Sequence, residues 1–330
     1  MSTGRKTDIL QLLRANREYV SGQQICDSFG ISRTAVWKVM NQLKADGYQI
    51  EAVQNKGYLL VDTPDVLSES ELASRMKTKW AGKALSYFDV TDSTNIQAKQ
   101  QAENGAPHGL LVVADQQESG RGRRGKNWES PAGQDIYMTL LLRPKFTPDK
   151  ASMLTLVMAL AVTRAVEAEC RVKAKIKWPN DIVVDGKKIC GILTEMNTEP
   201  DYIQYVVIGV GINANQTEFP KELQQTASSL QLILGKEISR AALIECAMEE
   251  FEAAYERFCR SGDLSGLMEE YNQRLVSVGK QVRVLDPQGE YTAISQGITP
   301  AGELLVTRDT GEIVRVYAGE VSVRGIYGYV

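Results

Sequence analysis

Histidine is almost missing from these 330 residues, His108 being the only one. Catalysis built on several histidines, as in zinc hydrolases, is thereby excluded, and a Ser-His-Asp triad is not expected. His108 stands between Pro107 and Gly109, a turn-like setting that reads as a surface residue and not a ligand. Cysteine offers no framework either. Cys26, Cys170, Cys190, Cys246 and Cys259 are odd in number, with no CxxC pair and no zinc-like spacing, so neither disulfides nor a structural metal are expected. No run approaches the roughly twenty apolar residues of a spanning helix, and Met1-Ser2-Thr3-Gly4-Arg5-Lys6 lacks the apolar core of a signal peptide. The expectation is a cytoplasmic protein with no membrane partner. A large excess of one charge is also lacking. A net charge of −3 excludes a uniformly basic nucleic-acid coat, so any DNA or RNA contact must come from a local patch. With 43% hydrophobic and 24% charged residues, the chain is globular and long enough for about two or three domains.

Against that background one stretch stands out. Ser119-Gly120-Arg121-Gly122-Arg123-Arg124-Gly125-Lys126 sets four cations among three glycines. Alternate glycines forbid a stable helix and let the backbone approach a ligand, so successive N–H groups can form an anion nest. Guanidinium groups stay protonated and match phosphate or carboxylate oxygens two at a time. Strand-like runs flank the segment at Leu111-Val112-Val113-Ala114 and from Ile136 to Leu142, making it a loop inside a folded domain. By residue type alone it suits an anionic small ligand, a nucleic-acid patch or a solvated surface loop.

The first sixty residues read as a helix-turn-helix with a wing. Ile9, Leu10, Leu12 and Leu13 form the apolar face of one helix, and Ile25 and Phe29 lie on a second that Gly30 ends. Ser32 begins a third, on which Val36, Val39, Met40 and Leu43 recur at helical spacing. Tyr48, Ile50 and Ala52 then alternate, Gln54-Asn55-Lys56-Gly57 makes a hairpin turn, and Tyr58-Leu59-Leu60-Val61 returns. Such a unit is either a protein-interaction module or a DNA reader, and the tight turn at Gly30 favours DNA. Gln23, Ser32, Arg33, Thr34, Trp37 and Lys38 are then the residues expected at bases and phosphates, with Asn55 and Lys56 at the wing tip on the backbone or minor groove.

The expected class is α+β and multidomain: a winged helix-turn-helix over 1–64, a central domain with a mixed sheet over 65–278, and a small SH3-like β-barrel over 279–330. Ser68-x-x-Glu71 looks like a capping box just past the linker. Strands are expected at 85–90, 110–114, 136–142, 175–178, 182–184, 189–195 and 205–212, and helices at 95–103, 150–168, 240–259 and 264–274. Turns at Asp286-Pro287-Gln288-Gly289, Thr299-Pro300-Ala301-Gly302 and Asp309-Thr310-Gly311 punctuate the tail.

Further chemistry is carried by Asp92-Ser93-Thr94-Asn95, which by itself is an ordinary helix start, and by Lys177-Trp178-Pro179-Asn180-Asp181, where Asp181 can accept bonds from a ligand or help hold a divalent cation. Lys187-Lys188 either brings a cation into a pocket or solubilises a strand. Ile208-Gly209-Val210-Gly211-Ile212-Asn213 closes a strand and lacks the third glycine of a dinucleotide fingerprint, so its glycines make room for a flat ligand against the backbone.

Taken in order, the winged helix, Asp92-Ser93-Thr94-Asn95, Gln117 with Gly120-Arg121-Gly122-Arg123-Arg124-Gly125, Lys177-Trp178-Pro179-Asn180-Asp181, Lys188, Gly209-x-Gly211-x-Asn213 and the terminal barrel resemble the biotin–protein ligases, in particular the bifunctional bacterial kind that also represses the biotin operon. The resemblance covers the whole chain. It implies that ATP and biotin give biotinyl-5′-adenylate with Mg²⁺ assisting, and that a lysine of a biotin carboxyl carrier protein, as in acetyl-CoA carboxylase and other biotin-dependent carboxylases, then takes the biotin. It implies catalytic roles for Arg121, Arg123 and Lys188, and biotin contacts from Ser93, Thr94, Asn95, Gln117, Arg121, Gly122, Arg123, Lys188, Gly209 and Gly211. ATP contacts are implied for Arg121, Arg123, Arg124, Trp128, Lys177, Asn180, Asp181, Asn213 and Arg324, with Asp181 as the metal candidate. It further implies operator DNA as a partner and a homodimer when liganded, with the adenylate as corepressor. The rivals are a lipoate–protein ligase and a metabolite-sensing repressor without enzymatic activity.

Overall fold

A computed structural model describes residues 3–286, 289–318, 322–325 and Tyr329; the side chains of Thr3, Ser322 and Arg324 lie outside the description. The turn expected at 286–289 falls partly on residues outside it. The chain divides into two compact units, Met1–Lys77 with Ser239–Glu245, and Thr78–Ile238 with Cys246–Val330.

The first unit begins with α1 (Thr3–Ala15), α2 (Gly22–Phe29) and α3 (Arg33–Ala45). Ser21 and Ser32 cap the last two through hydroxyls that accept from Gln24 N and Ala35 N. Gly30 ends α2 at φ 61°, a left-handed conformation that glycine adopts without strain, and so sets the tight turn into α3. Ile9, Leu10, Leu13, Ile25, Val36, Val39, Met40 and Leu43 pack together as their spacing requires. The wing is β1 (Gln49–Val53) against β2 (Gly57–Asp62), antiparallel, turning at Asn55 with φ 66°. Ile50 is buried, but Ala52 is exposed.

In α4 (Glu69–Arg75), Ser68 Oγ accepts from Glu71 N at 3.1 Å, yet the reciprocal half of a capping box is missing. The buried Glu71 carboxylate instead accepts from Arg14 Nη2 at 2.8 and 3.0 Å, Tyr48 Oη at 2.6 Å and Arg75 Nε at 2.5 Å. A carboxylate taken from water needs such compensation. Burial, reinforced by the Glu71 charge, raises the Tyr48 phenol above its ordinary pKa and keeps it a donor. Arg75 and Lys77 extend the cluster to Glu245.

The second unit holds β3 (Leu85–Thr91), α5 (Thr94–Glu103), β4 (Leu111–Gln117), β5 (Ile136–Leu142), α6 (Met153–Cys170), β6 (Lys175–Lys177), β7 (Asp181–Val184), β8 (Lys187–Thr198), β9 (Ile203–Ile212) and α7 (Leu230–Leu234). α8 (Arg240–Ser261) carries the chain from the first unit back to the second, and α9 (Met268–Arg274) follows a short 3-10 turn at Leu264–Gly266, so the single helix expected at 264–274 is broken. The sheet order is β3-β4-β5-β9-β8-β7-β6. β3 and β4 are parallel because α5 crosses between them, whereas the other neighbours pair antiparallel. This is the mixed sheet expected. Every residue of the interior strand β5 is buried, as its apolar run, broken only by Thr139, predicts.

The expectation that no run is long enough to span a bilayer is corrected by Pro148–Cys170, which has the necessary length and hydropathy. That stretch is mostly buried, and a helix apolar on all sides belongs in a core as well as in a membrane. His108 is also corrected. It is half-buried, its ring 4.5 Å from that of Trp80, and its Nδ1 accepts from Arg143 N; burial, then the Arg143 charge, lowers its pKa.

The tail forms β10 (Gln281–Leu285), β11 (Tyr291–Ile298), β12 (Leu304–Arg308), β13 (Ile313–Val316) and β14 (Ser322–Gly325), antiparallel in the order β13-β12-β11-β10-β14. It is the small β-barrel of the expected α+β, multidomain class.

Candidate active site

Cross-strand register builds the floor of a cleft. Gly211 on β9 lies between Tyr137 of β5 and Gly191 of β8, and Gly209 lies between Thr139 and Leu193. Residues two apart share a face, so Gly191, Gly209 and Gly211 leave one bare patch of backbone. Side chains already rest on it: a β-carbon at Gly209 would come within 2.2 Å of Asn95 Oδ1, and one at Gly211 within 2.6 Å of the Trp128 indole. These glycines are required by what touches them.

Every residue assigned to biotin lines this cleft: Ser93, Thr94, Asn95, Gln117, Arg121, Gly122, Arg123, Lys188, Gly209 and Gly211. Ser93 occupies the N-cap of α5 without capping it, for Asp92 Oδ1 takes the Ser93 N–H and Gln97 Nε2 instead. Thr94 donates its N–H to Gln117 Oε1 at 2.9 Å, and Gln117 Nε2 donates to Ser130 Oγ at 2.9 Å. Ser130 Oγ in turn donates to Trp128 O, tying the arginine loop to the floor.

The loop folds back on itself. Gly122 N donates to Lys126 O at 2.7 Å and Trp128 N to Gly120 O at 2.9 Å, with a bridge between Arg121 and Asn127. The expected anion nest is therefore partly closed by the loop's own carbonyls, and the guanidinium groups carry the positive charge into the cleft. Arg123 Nη1 donates to Asn180 Oδ1 at 2.9 Å and Nη2 to Ala318 O. Burial, then the neighbouring Arg124, lowers the Arg123 pKa, partly offset by Asp181. Lys188 Nζ pairs with Asp181 Oδ1 at 2.6 Å and lies 5.2 Å from the Trp128 ring centroid. Asn180 Nδ2 and the Tyr329 hydroxyl also donate to Asp181.

Of the residues assigned to ATP, Arg121, Arg123, Trp128 and Asn180 line the cleft, and Asp181 stands behind Lys188. The structure places Arg124, Lys177 and Asn213 elsewhere. Arg124 is exposed at the loop tip with φ 58°. Lys177 Nζ sits 3.1 Å from the Tyr329 ring centroid. Asn213 donates to Ser228 O at 3.0 Å, joining the end of β9 to the segment before α7. Arg324 is on β14 with its side chain outside the description. Gly191, Ile192, Leu193 and Val210 also line the cleft and escaped sequence reasoning. For Gly191 the signal was a glycine inside the apolar run Ile189-Cys190-Gly191-Ile192-Leu193; for the others there was none beyond strand character.

In the first unit, Gln23, Ser32, Arg33, Thr34, Trp37 and Lys38 are all exposed on α2 and α3, with Trp37 59% exposed. Arg33 Nη2 donates to Gln23 Oε1 at 3.0 Å. Ser32 is occupied as a cap. Asn55 and Lys56 are exposed at the wing tip, Lys56 Nζ 5.7 Å from the Tyr19 ring centroid. A groove lined by Gln23, Arg33, Asn55 and Lys56, among others, runs between the helices and the wing.

Residues 87–213 match the model of the Biotin/lipoate A/B protein ligase family, 5–59 match that of an HTH domain, and 278–324 match that of the Biotin protein ligase C terminal domain. A Bifunctional ligase/repressor BirA from Bacillus spizizenii is 42% identical over 97% of this chain and 98% of its own. The chain belongs to the bifunctional biotin ligase/repressor family. The member of that family from Escherichia coli is 29% identical over 94% of this chain and 95% of its own. Among solved structures, the biotin protein ligase from Aquifex aeolicus in complex with biotin and ATP is 30% identical, with a TM-score of 0.65 over 74% of this chain and 99% of that one.

Proposed function

We propose that the chain joins biotin to the lysine of a carrier protein through biotinyl-5′-adenylate formed in this cleft, and that the same intermediate turns the winged helix into an operator-bound repressor. Ligase and repressor are the two activities of its family. The observation that carries the cleft assignment is the convergence of Arg121, Arg123 and Lys188 on a glycine floor that also holds Thr94, Asn95 and Gln117.

The chemistry explains the residue types. In the first step the biotin carboxylate attacks the α-phosphorus of ATP and pyrophosphate leaves. Two anionic groups must meet, so fixed cations offset charge that builds on the phosphoryl oxygens. Arg121, Arg123 and Lys188 fill that role, with Asp181 holding the ammonium of Lys188 in place and Asn180 holding Arg123. In the second step the carrier lysine amine attacks the acyl carbon and AMP leaves. The floor glycines admit the flat ring system of biotin, and Trp128 covers the adenine once a ligand takes the floor. Arg124, Lys177 and Asn213 keep the roles implied by resemblance only if the bound state rearranges them.

Mg²⁺ enters with ATP. Asp181, already paired with Lys188 beside the cleft, would hold the ion next to the phosphates. When bound it neutralises phosphate charge. The carrier is that of acetyl-CoA carboxylase or another biotin-dependent carboxylase, and the work is done in the cytoplasm. Repression follows if adenylate favours a homodimer, because two winged helices on a palindromic operator bind far better than one.

The test is to incubate the protein with ATP, Mg²⁺, biotin and an apo carrier domain and probe the carrier with streptavidin, with Arg121→Ala alongside. Wild type labels the carrier and the variant does so weakly. An unlabelled carrier, with lipoate accepted in place of biotin, would overturn the reading.

A further inference from the structure

Just past the arginine loop stands a buried hydroxyl to which the adenylation chemistry gives no part. Ser130 is 7% exposed and is not among the residues that line the cleft. Its Oγ donates to Trp128 O at 3.0 Å, and since a backbone carbonyl only accepts, the single hydroxyl proton is committed there. Ser130 Oγ is left as an acceptor. Gln117 Nε2 donates to it at 2.9 Å, and the Gln117 backbone N–H donates to Ser130 O at 3.3 Å.

The far end of the same amide faces the cleft wall. Gln117 Oε1 accepts the Thr94 N–H at 2.9 Å and the Thr94 hydroxyl at 3.1 Å. Thr94 N–H requires an acceptor at one end of the amide and Ser130 requires a donor at the other, so only one orientation of Gln117 satisfies both. Ser130 is itself held from the sheet. The next residue, Pro131, accepts through its carbonyl from the hydroxyl of Tyr137 on the buried β5 at 3.1 Å. Trp128 O, Ser130 Oγ and Gln117 Nε2 also meet over the bare α-carbon of Gly120, where a β-carbon would stand 2.4, 2.7 and 3.1 Å from them.

We propose that Ser130 is a positioning residue for biotin recognition: without touching the ligand it holds the Gln117 amide, and through Gln117 Oε1 the Thr94 hydroxyl, as the cleft presents them. A glutamine tethered at Oε1 alone keeps rotamer freedom that binding must remove, and the second tether at Nε2 removes it beforehand. Arg121, Arg123 and Lys188 have no place in this row of bonds. The effect of Ser130 therefore falls on biotin and spares the nucleotide.

The inference rests on the cleft being the biotin site, and the experiment separates the two. Pyrophosphate release is measured against biotin and against ATP for wild type, Ser130→Ala, Ser130→Thr, Gln117→Ala and the double variant Ser130→Ala/Gln117→Ala. Ser130→Ala should raise the KM for biotin roughly two- to tenfold, the range of one net hydrogen bond, with kcat and the KM for ATP little changed. Ser130→Thr keeps the hydroxyl and should restore the wild-type value. In the Gln117→Ala background the Ser130→Ala change should add nothing, because Ser130 acts through that amide. An equal rise in both KM values, or a fall in kcat alone, would mark a general loosening of the loop base and overturn the proposal. Additive losses in the double variant would overturn it too, as would a raised biotin KM in Gln117→Ala beside an unchanged one in Ser130→Ala. An unchanged biotin KM in both single variants would instead overturn the cleft assignment. If Ser130→Thr does not fold, Ser130→Cys, whose thiol donates and accepts weakly, should fall between wild type and Ser130→Ala, and a KM at or above that of Ser130→Ala would count against the role.

Discussion

The Glu71 cluster of the first unit and the Asp181 cluster of the second are built from the same kinds of side chain. Around Glu71, Arg14, Tyr48 and Arg75 all turn inward on one carboxylate, drawing α1, the start of the wing and α4 together. Around Asp181, Lys188 is paired and Asn180 is engaged, but Lys188 also faces an open cleft together with Arg121 and Arg123. All three of those cations border the open space. A charge cluster that closes on itself holds a fold, and one left with an excess towards open space is poised for a ligand of the opposite sign.

If that distinction is sound, Glu71→Ala should give the largest effect. It strands Arg14 without its carboxylate, leaves Arg75 with Glu245 alone and should destabilise the first unit by about 3–5 kcal/mol. Urea titration would show a lower midpoint and operator binding would fail, while carrier labelling continues. Arg123→Ala should do the reverse. Pyrophosphate release should slow by about 10²–10³-fold, as when one preorganised charge-stabilising donor is removed, with the urea midpoint little changed. Similar losses of stability in both variants would remove the distinction. Exposed charges of the DNA face form the third case, small in stability and specific in readout. Arg33→Ala should weaken operator binding by about 1–3 kcal/mol if it reads a base, whereas Lys56→Ala should weaken all sequences alike and lower the salt slope by about one phosphate. Binding assays on operator and scrambled DNA at several salt concentrations measure both.

What could be read in advance depended on whether the informative residues are neighbours in sequence. Ile136–Leu142 is legible as a strand because apolar residues, broken only by Thr139, run together, and the helix-turn-helix is legible because Gly30 and the spacing of Val36, Val39, Met40 and Leu43 are local signals. The arginine loop and Asp92-Ser93-Thr94-Asn95 are compact motifs, and both reach the cleft. Gly191 shows in sequence only as a glycine inside an apolar run, and its place in the cleft comes from facing Gly211 on the neighbouring strand. Thr139 and Glu195 are ordinary strand residues until register sets one beside Gly209 and both beside Asn95. Glu71 misled for the same reason: a local capping signal predicts its backbone bond correctly, while Arg14, 57 positions away, claims the carboxylate. Lys177 sits within a specific motif yet faces Tyr329, which nothing local foretells.

The resting place of the Trp128 indole has a practical corollary. It lies so near Gly191 and Gly211 that a β-carbon would stand 2.9 and 2.6 Å from it, and no planar molecule can share that volume. Occupancy must therefore evict the ring, and since Ser130 ties the Trp128 carbonyl to Gln117, the hairpin of arginines registers the eviction. Indole emission then becomes a built-in gauge of loading. By thermodynamic reciprocity, anything that grips the hairpin from outside alters ligand retention by the same factor that the ligand alters the grip.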